Sequence, residues 1–292
     1  MPLTHPTTIS QTIRDCKLEV IALLALSLGM YYPTLYWLYR RWIEPNSNYG
    51  HIIMIPFVAA FLFLRLKPRL GGIRPGASSL GLWISIAAVF LHIASRLIKV
   101  NFVSGLSLPI LLMGLILYLF GKEAARRCLF AVAYLFFMIP VPIVMIREIS
   151  LKLKLLAAHW AAVLMKWCGM RIVEEGSFLH IPTGTLIVGD VCSGLKYLTA
   201  LIALGALYAY LAELSPIKRW IIFAASVPVA VIANVVRIVT LGLIGWRWGI
   251  EAVEGAAHYL AGFFIFVVAL ILLSVVHGIV AKLPGESLRY GK

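Results

Sequence analysis

The chain has 292 residues, of which 62% are hydrophobic and only 13% charged, with a mean hydropathy of +0.95; a water-soluble globular domain is excluded. Its net charge of +14 falls in short clusters between apolar stretches rather than along one amphipathic face, which speaks against a nucleic-acid-binding surface and for topology signals. Apolar stretches recur from Leu18 to Ala281 with no polar linker long enough to separate folding units.

A helix needs about 20 mostly apolar residues to cross the hydrocarbon layer, where each backbone polar group must be bonded internally. In chain order the candidates are Leu18 to Tyr39, Tyr49 to Leu66, Ser78 to Arg96, Val100 to Phe120, Cys128 to Ile146, Val191 to Ala212, Ile217 to Ile244 and Ala256 to Ala281. The first is longer than a signal-peptide core and has no small-residue cleavage site after it, so it is expected to stay as an anchor. Basic clusters at Arg65, Lys67, Arg69 and Arg74, at Lys122, Arg126 and Arg127, and at Lys218 and Arg219 assign those loops and both termini to the cytoplasm. Arg40 and Arg41 oppose that assignment weakly and can snorkel to an interface beside Tyr39 and Trp42.

Between the fifth and sixth candidates, Arg147 to Gly169 carries Lys152, Lys154, His159 and Lys166 among Leu, Ala and Trp in an amphipathic helical pattern. It is expected on the outer side, as an interfacial or bundle-packed helix. Arg171 to Asp190 then holds two β-prone runs separated by Pro182, Thr183 and Gly184, a hairpin signal. The expected fold is therefore an all-α polytopic membrane protein of about eight transmembrane helices, plus an outer-face amphipathic helix and a short β-hairpin. No long-period repeat or low-complexity tract interrupts it.

On that topology Cys192 stands where the sixth helix begins, Arg237 lies within the last two turns of the seventh, and His258 opens the eighth, all toward the outer face. An arginine within a membrane helix costs about 2.5 to 3.5 kcal/mol on insertion scales and is by default a functional candidate. A lone cysteine is more often a small buried hydrophobe, but a helix N-terminus with an arginine and an imidazole nearby favours its thiolate. Cysteine with histidine is the minimal set for nucleophilic catalysis, and an arginine can stabilise an oxyanion. Read structurally, Arg237 would bond carbonyls or Asp190, and His258 would cap its helix. Asp190 orients the site or caps the sixth helix; Ser193 and Asn234 are further supporting candidates.

Cys16, Cys128, Cys168 and Cys192 show neither C-x-x-C pairing nor regular spacing, so no disulfide framework, metal site or cofactor is expected. Cys16, Cys128 and Cys168 read as packing or interface residues, as do His5, His92, His159, His180 and His277. There is no H-E-x-x-H, and Ser193 lacks a G-x-S-x-G setting.

The run Val188-Gly189-Asp190-Val191-Cys192-Ser193-Gly194-Leu195, followed by Asn234-Val235-Val236-Arg237 and Ala257-His258, resembles the exosortase/archaeosortase family of membrane transpeptidase-like enzymes. The likeness extends to Asn48 to Pro56, Phe137 to Pro142 and Glu175 to Pro182, and departs at Ile52 after His51, where members often have glycine. The resemblance implies a single integral membrane domain over residues 1–292 with a catalytic core at about 140–281. It also implies Cys192, Arg237 and His258 as the catalytic set, placed on the outer face of a bacterial inner membrane. The implied substrates are exported proteins with a C-terminal sorting signal: a short Pro-Glu-Pro-type motif, one membrane helix and a basic tail. The acceptor would be a membrane lipid or another nucleophile.

Two readings from other classes compete. A transporter or channel would use Arg237 and His258 in an ion or proton pathway, but no inverted repeat or matched pair of broken helices accompanies them. A scaffold protein would keep all three residues as packing.

Overall fold

The computed structural model describes residues 8–9, 17–44, 50–73, 76, 78–188, 195–253 and 256–284. Contacts divide the chain into two compact units, Met1–Pro142 and Ile143–Lys292.

The first unit contains α1 (Lys17–Ile43), α2 (Met54–Leu70), α3 (Ser79–Leu97) and α4 (Asn101–Tyr134), with short 3-10 turns at Gly50–Ile53 and Leu135–Met138. α3 and α4 form an antiparallel hairpin whose backbones nearly touch. A Cβ on Gly81 would meet Tyr118 N at 2.3 Å, and one on Gly114 would meet Ser85 Oγ at 2.6 Å. Small residues at membrane-helix contacts allow such approach and replace a hydrophobic drive that lipid cannot supply. α1 packs on this pair through Tyr31, beside Ala88 and Leu111.

At the centre of that contact lies a knot of buried polar groups. Tyr31 Oη and Ser107 Oγ are 2.7 Å apart, Thr34 Oγ1 bonds Ser104 Oγ, and His92 Nδ1 reaches the same Ser104 Oγ at 2.9 Å. Ser107 uses its only proton on the Ser104 carbonyl at 2.7 Å, so Tyr31 must be the donor to Ser107. Ser95 donates to the His92 carbonyl.

The second unit contains α5 (Ile143–Trp167), the strands β1 (Val173–Glu175), β2 (Phe178–Ile181) and β3 (Gly184–Ile187), then α6 (Leu195–Leu211), α7 (Pro216–Trp248), a 3-10 turn at Ile250–Val253, and α8 (Ala256–Lys282). α6, α7 and α8 share a core of Leu201, Ala209, Ile222, Val229, Ala230, Ala233, Ile265, Ala269 and Leu273. Lys218, in the first turn of α7, donates to the carbonyls of Ala281 at 3.0 Å and Leu283 at 2.8 Å, a cation on the C-terminal end of α8.

α5 shows the expected amphipathic division. Ala157, Ala158, Ala161, Ala162 and Met165 are buried, while Lys152, His159 and Lys166 are exposed. Its alanine stripe lets α7 approach so closely that a Cβ on Gly242 would meet Met165 Sδ at 2.2 Å.

The expectation of a polytopic helical membrane protein with a small sheet holds, but eight spans are not confirmed. Among the described residues five helical stretches are long and apolar enough to cross: Lys17–Ile43, Ser79–Leu97, Asn101–Met138, Pro216–Trp248 and Leu260–Lys282. α2 has 17 residues and carries Arg65, Lys67 and Arg69, and α6 also has 17. The fourth and fifth candidates run together as one stretch, bent at Gly121 (φ 85°, ψ −178°), where a Cβ would meet Gly76 O at 2.3 Å. That stretch stops at Met138 because Pro140 and Pro142 cannot continue it, so residues 143–146 belong to α5. The hairpin is a three-stranded antiparallel meander in the order β1-β2-β3. The turn at Pro182 and Thr183 lies as expected, and a second at Gly176 (φ 62°) and Ser177 adds β1.

Candidate active site

α7 carries Asn234 and Arg237 one turn apart, and both are buried, Arg237 with none of its surface exposed. The arginine stands between two apolar cores. Ala230 and Ala233 on one side belong to the α6-α7-α8 core, while Val235, Ile238 and Leu241 on the other join α5 and the sheet. A guanidinium is a cation with five donors in a fixed fork, and removing it from water costs far more than burying a hydroxyl.

The register of the helices sets its depth. A Cβ on Gly205 of α6 would lie 2.2 Å from the Ser226 Cβ of α7, so these residues face each other. Ten residues back from Gly205 is Leu195, the start of α6; ten forward from Ser226 is Val236. Arg237 is thus level with the first turn of α6, three residues after Cys192 in the chain. On the other side, the bond from Lys218 to Ala281 aligns Arg237 with Gly262 of α8 to within about a turn. His258, in the first turn of α8, comes four residues before Gly262, about 6 Å along the axis.

One position differs from expectation. α7 continues through Trp246, Arg247 and Trp248 and ends at Gly249 (φ 94°), so Arg237 lies three turns from its end rather than within the last two. Interfacial aromatic residues extend a helix past its apolar span, and glycine in a left-handed conformation stops it.

Of the six site candidates, Arg237 and Asn234 are described in full and lie on one buried face. His258 is described by its helix position. Asp190, Cys192 and Ser193 lie outside the described residues, between Val188 and Leu195. The flanks of that interval are informative: Val188, Val235, Ile238 and Ala261 all belong to the core beneath the sheet. The chain leading to Cys192, the turn bearing Arg237 and the turn after His258 therefore share one buried core.

The sheet is pinned above α7 by contacts that sequence patterning does not reveal. Thr183 Oγ1 donates to the Gly245 carbonyl at 2.8 Å, and a Cβ on Gly184 would meet Ile250 Cγ2 at 3.0 Å. Gly242 and Gly245, where a Cβ would meet Met165 Sδ at 2.2 Å and Ile181 Cδ1 at 3.2 Å, were the available signal for a close neighbour. His92 belongs to the buried knot; His180 pairs with Glu175 at 3.5 Å on the sheet's exposed face, and His159 of α5 with Glu174 at 3.2 Å on the face that carries Leu179. Cys128 is buried and Cys168 exposed, both as free thiols.

The family model described as transmembrane exosortase matches residues 42–275, more than three quarters of the chain. No curated protein and no solved structure matches it. The matched region runs from the end of α1 into α8 and takes in the buried arginine, the sheet and both flanks of the cysteine interval. The chain belongs to the transmembrane exosortase family, membrane-spanning sorting transpeptidases.

Proposed function

We propose that this protein is a cysteine-dependent peptidase and transpeptidase of the bacterial inner membrane, with its site toward the periplasmic face. It recognises a C-terminal sorting signal on exported proteins: a Pro-Glu-Pro-type motif, a membrane helix and a basic tail. The Cys192 thiol gives its proton to His258, and the thiolate attacks the peptide carbonyl carbon. Arg237 stabilises the oxyanion. Collapse breaks the C–N bond, His258 returns the proton to the leaving amine, and a thioester remains. A hydroxyl or amine of the acceptor, or water, then attacks the thioester and restores the thiol.

The observation that carries this reading is the full burial of Arg237 on α7, level with the start of α6. A helix N-terminus and a guanidinium both favour a thiolate in the Asp190 to Leu195 run. Asp190, Ser193 and Asn234 serve as positioning groups.

Cys192→Ala is expected to abolish processing of a sorting-signal substrate while the protein remains in the membrane at normal abundance. In the wild type, mass spectrometry of the acid-quenched enzyme should find the substrate fragment attached to Cys192. Processing that persists in Cys192→Ala would sink the mechanism.

A further inference from the structure

A three-stranded sheet has two edges, and these two are not alike. Bonded and non-bonded residue pairs alternate along an antiparallel ladder. Val188 N–H donates to the Ser177 carbonyl at 2.9 Å, and the register continues through Ile187 with Phe178, Leu186 with Leu179, Thr185 with His180 and Gly184 with Ile181. The bonded pairs are therefore Ser177 with Val188, Leu179 with Leu186, and Ile181 with Gly184. The N–H and C=O groups of Thr185 and Ile187 face away from β2, and no described residue bonds them. Both side chains are exposed, while Leu186 between them is buried.

At the opposite edge the backbone groups of Glu174 also face away from β2 without a bond from any described residue, but α5 lies alongside, with His159 against the Glu174 side chain at 3.2 Å. Among the described residues the β3 edge is unbonded but not loose, since its turn is held by Thr183 on Gly245 and by Gly184 against Ile250, and Leu186 packs near Gly242. Unbonded strand edges are not tolerated in hydrocarbon, so this edge faces water. β3 also leads along the chain to Cys192, five residues after Ile187.

We infer that the β3 edge is the peptide-docking site: the extended motif of the substrate adds as a fourth strand on the backbone groups of Thr185 and Ile187, beside the chain that leads to Cys192. This deepens the function proposed above and rests on it. Strand addition takes its affinity from main-chain hydrogen bonds, and every second residue of the added strand turns its backbone groups outward. A Pro-x-Pro segment suits such an edge. Both prolines can face outward, where a missing N–H costs nothing, while the residue between them offers N–H and C=O to β3.

The test uses the full chain in liposomes with a sorting-signal substrate. Thr185→Pro and Ile187→Pro each remove one outward N–H and no backbone bond to β2, although Thr185→Pro also loses the side-chain bond between Thr185 Oγ1 and His180 Nδ1; both are expected to raise KM about tenfold with kcat little changed. Ile187→Val keeps the N–H and should keep the wild-type KM. A substrate N-methylated on the residue between the two prolines should show the same rise against the wild-type enzyme, which covers the case of a proline variant that fails to fold. Wild-type KM in folded proline variants, or equal KM for the methylated and plain substrates, overturns strand addition. If Cys192→Ala is inactive in the same assay, such a result leaves the cysteine mechanism standing; if Cys192→Ala is active, the mechanism itself falls.

Discussion

Each unit of the protein buries polar side chains among apolar helices, but they bury different chemistry. Between α1, α3 and α4 the buried groups are hydroxyls and one imidazole, and they bond one another: Tyr31 to Ser107, Thr34 to Ser104, and His92 to Ser104. In the second unit the described buried polar groups lie on α7: Ser226, whose hydroxyl donates to the Phe223 carbonyl, the Asn234 amide, and the guanidinium of Arg237, a charged group that the first unit's buried set lacks. Hydroxyls closing on hydroxyls fix how helices pack, because each leaves water for a partner of its own kind. A cation at full burial costs more than such a knot, and in the proposed mechanism it is kept because it stabilises a developing oxyanion. On that proposal, burial of polarity marks architecture in one unit and chemistry in the other.

The sharpest way to break that contrast is Arg237→Met, which keeps a flexible unbranched stem, shorter than that of arginine, and removes the charge. We expect processing to fall by about 100-fold or more, the usual scale for losing an oxyanion donor. The thermal midpoint in detergent is followed in parallel, so that processing is compared per folded molecule. Activity near wild type would move Arg237 into the same architectural class as Ser104.

A smaller effect is expected at the α6–α7 contact, which sets the level of Arg237. A Cβ on Gly205 would lie 2.2 Å from Ser226 Cβ, so Gly205→Val must push the helices apart. Overpacking of this kind costs about 1 to 3 kcal/mol. It should lower the thermal midpoint and, by displacing the start of α6 from Arg237, lower kcat as well. A lower midpoint with unchanged kcat would show that the helix register does not matter to the chemistry.

Much of this organisation is legible in the chain. Hydropathy and the amphipathic pattern of residues 147–169 locate most of the helices, and Pro182 marks a turn. The Cys192 motif with the later Arg237 and His258 leads to the family. The span count is less legible, because hydropathy registers the polar cluster at Lys122 to Arg127 but not that the helix continues past Gly121 by bending. The third strand escaped because Val173 to Glu175 is short and polar, and its pairing depends on a turn at Gly176 that composition does not distinguish from a loop. The knot is illegible for a different reason. Tyr31, Thr34, His92, Ser104 and Ser107 come from three helices, and only the packing of α1 and α3 against α4 brings them within bonding distance.

The smallest effect should come from that knot, and it tests the other half of the contrast. Ser104 Oγ bonds both Thr34 and His92, so Ser104→Ala takes a partner from each inside a buried contact. Leaving buried polar groups without a bond costs about 1 to 3 kcal/mol. The variant is expected to lose a few degrees of thermal midpoint, while substrate processing per folded molecule stays at the wild-type level. The two readouts must separate: a loss of processing larger than the loss of folded protein would mean that the knot belongs to the chemistry too, and that buried hydroxyls here are not architecture alone.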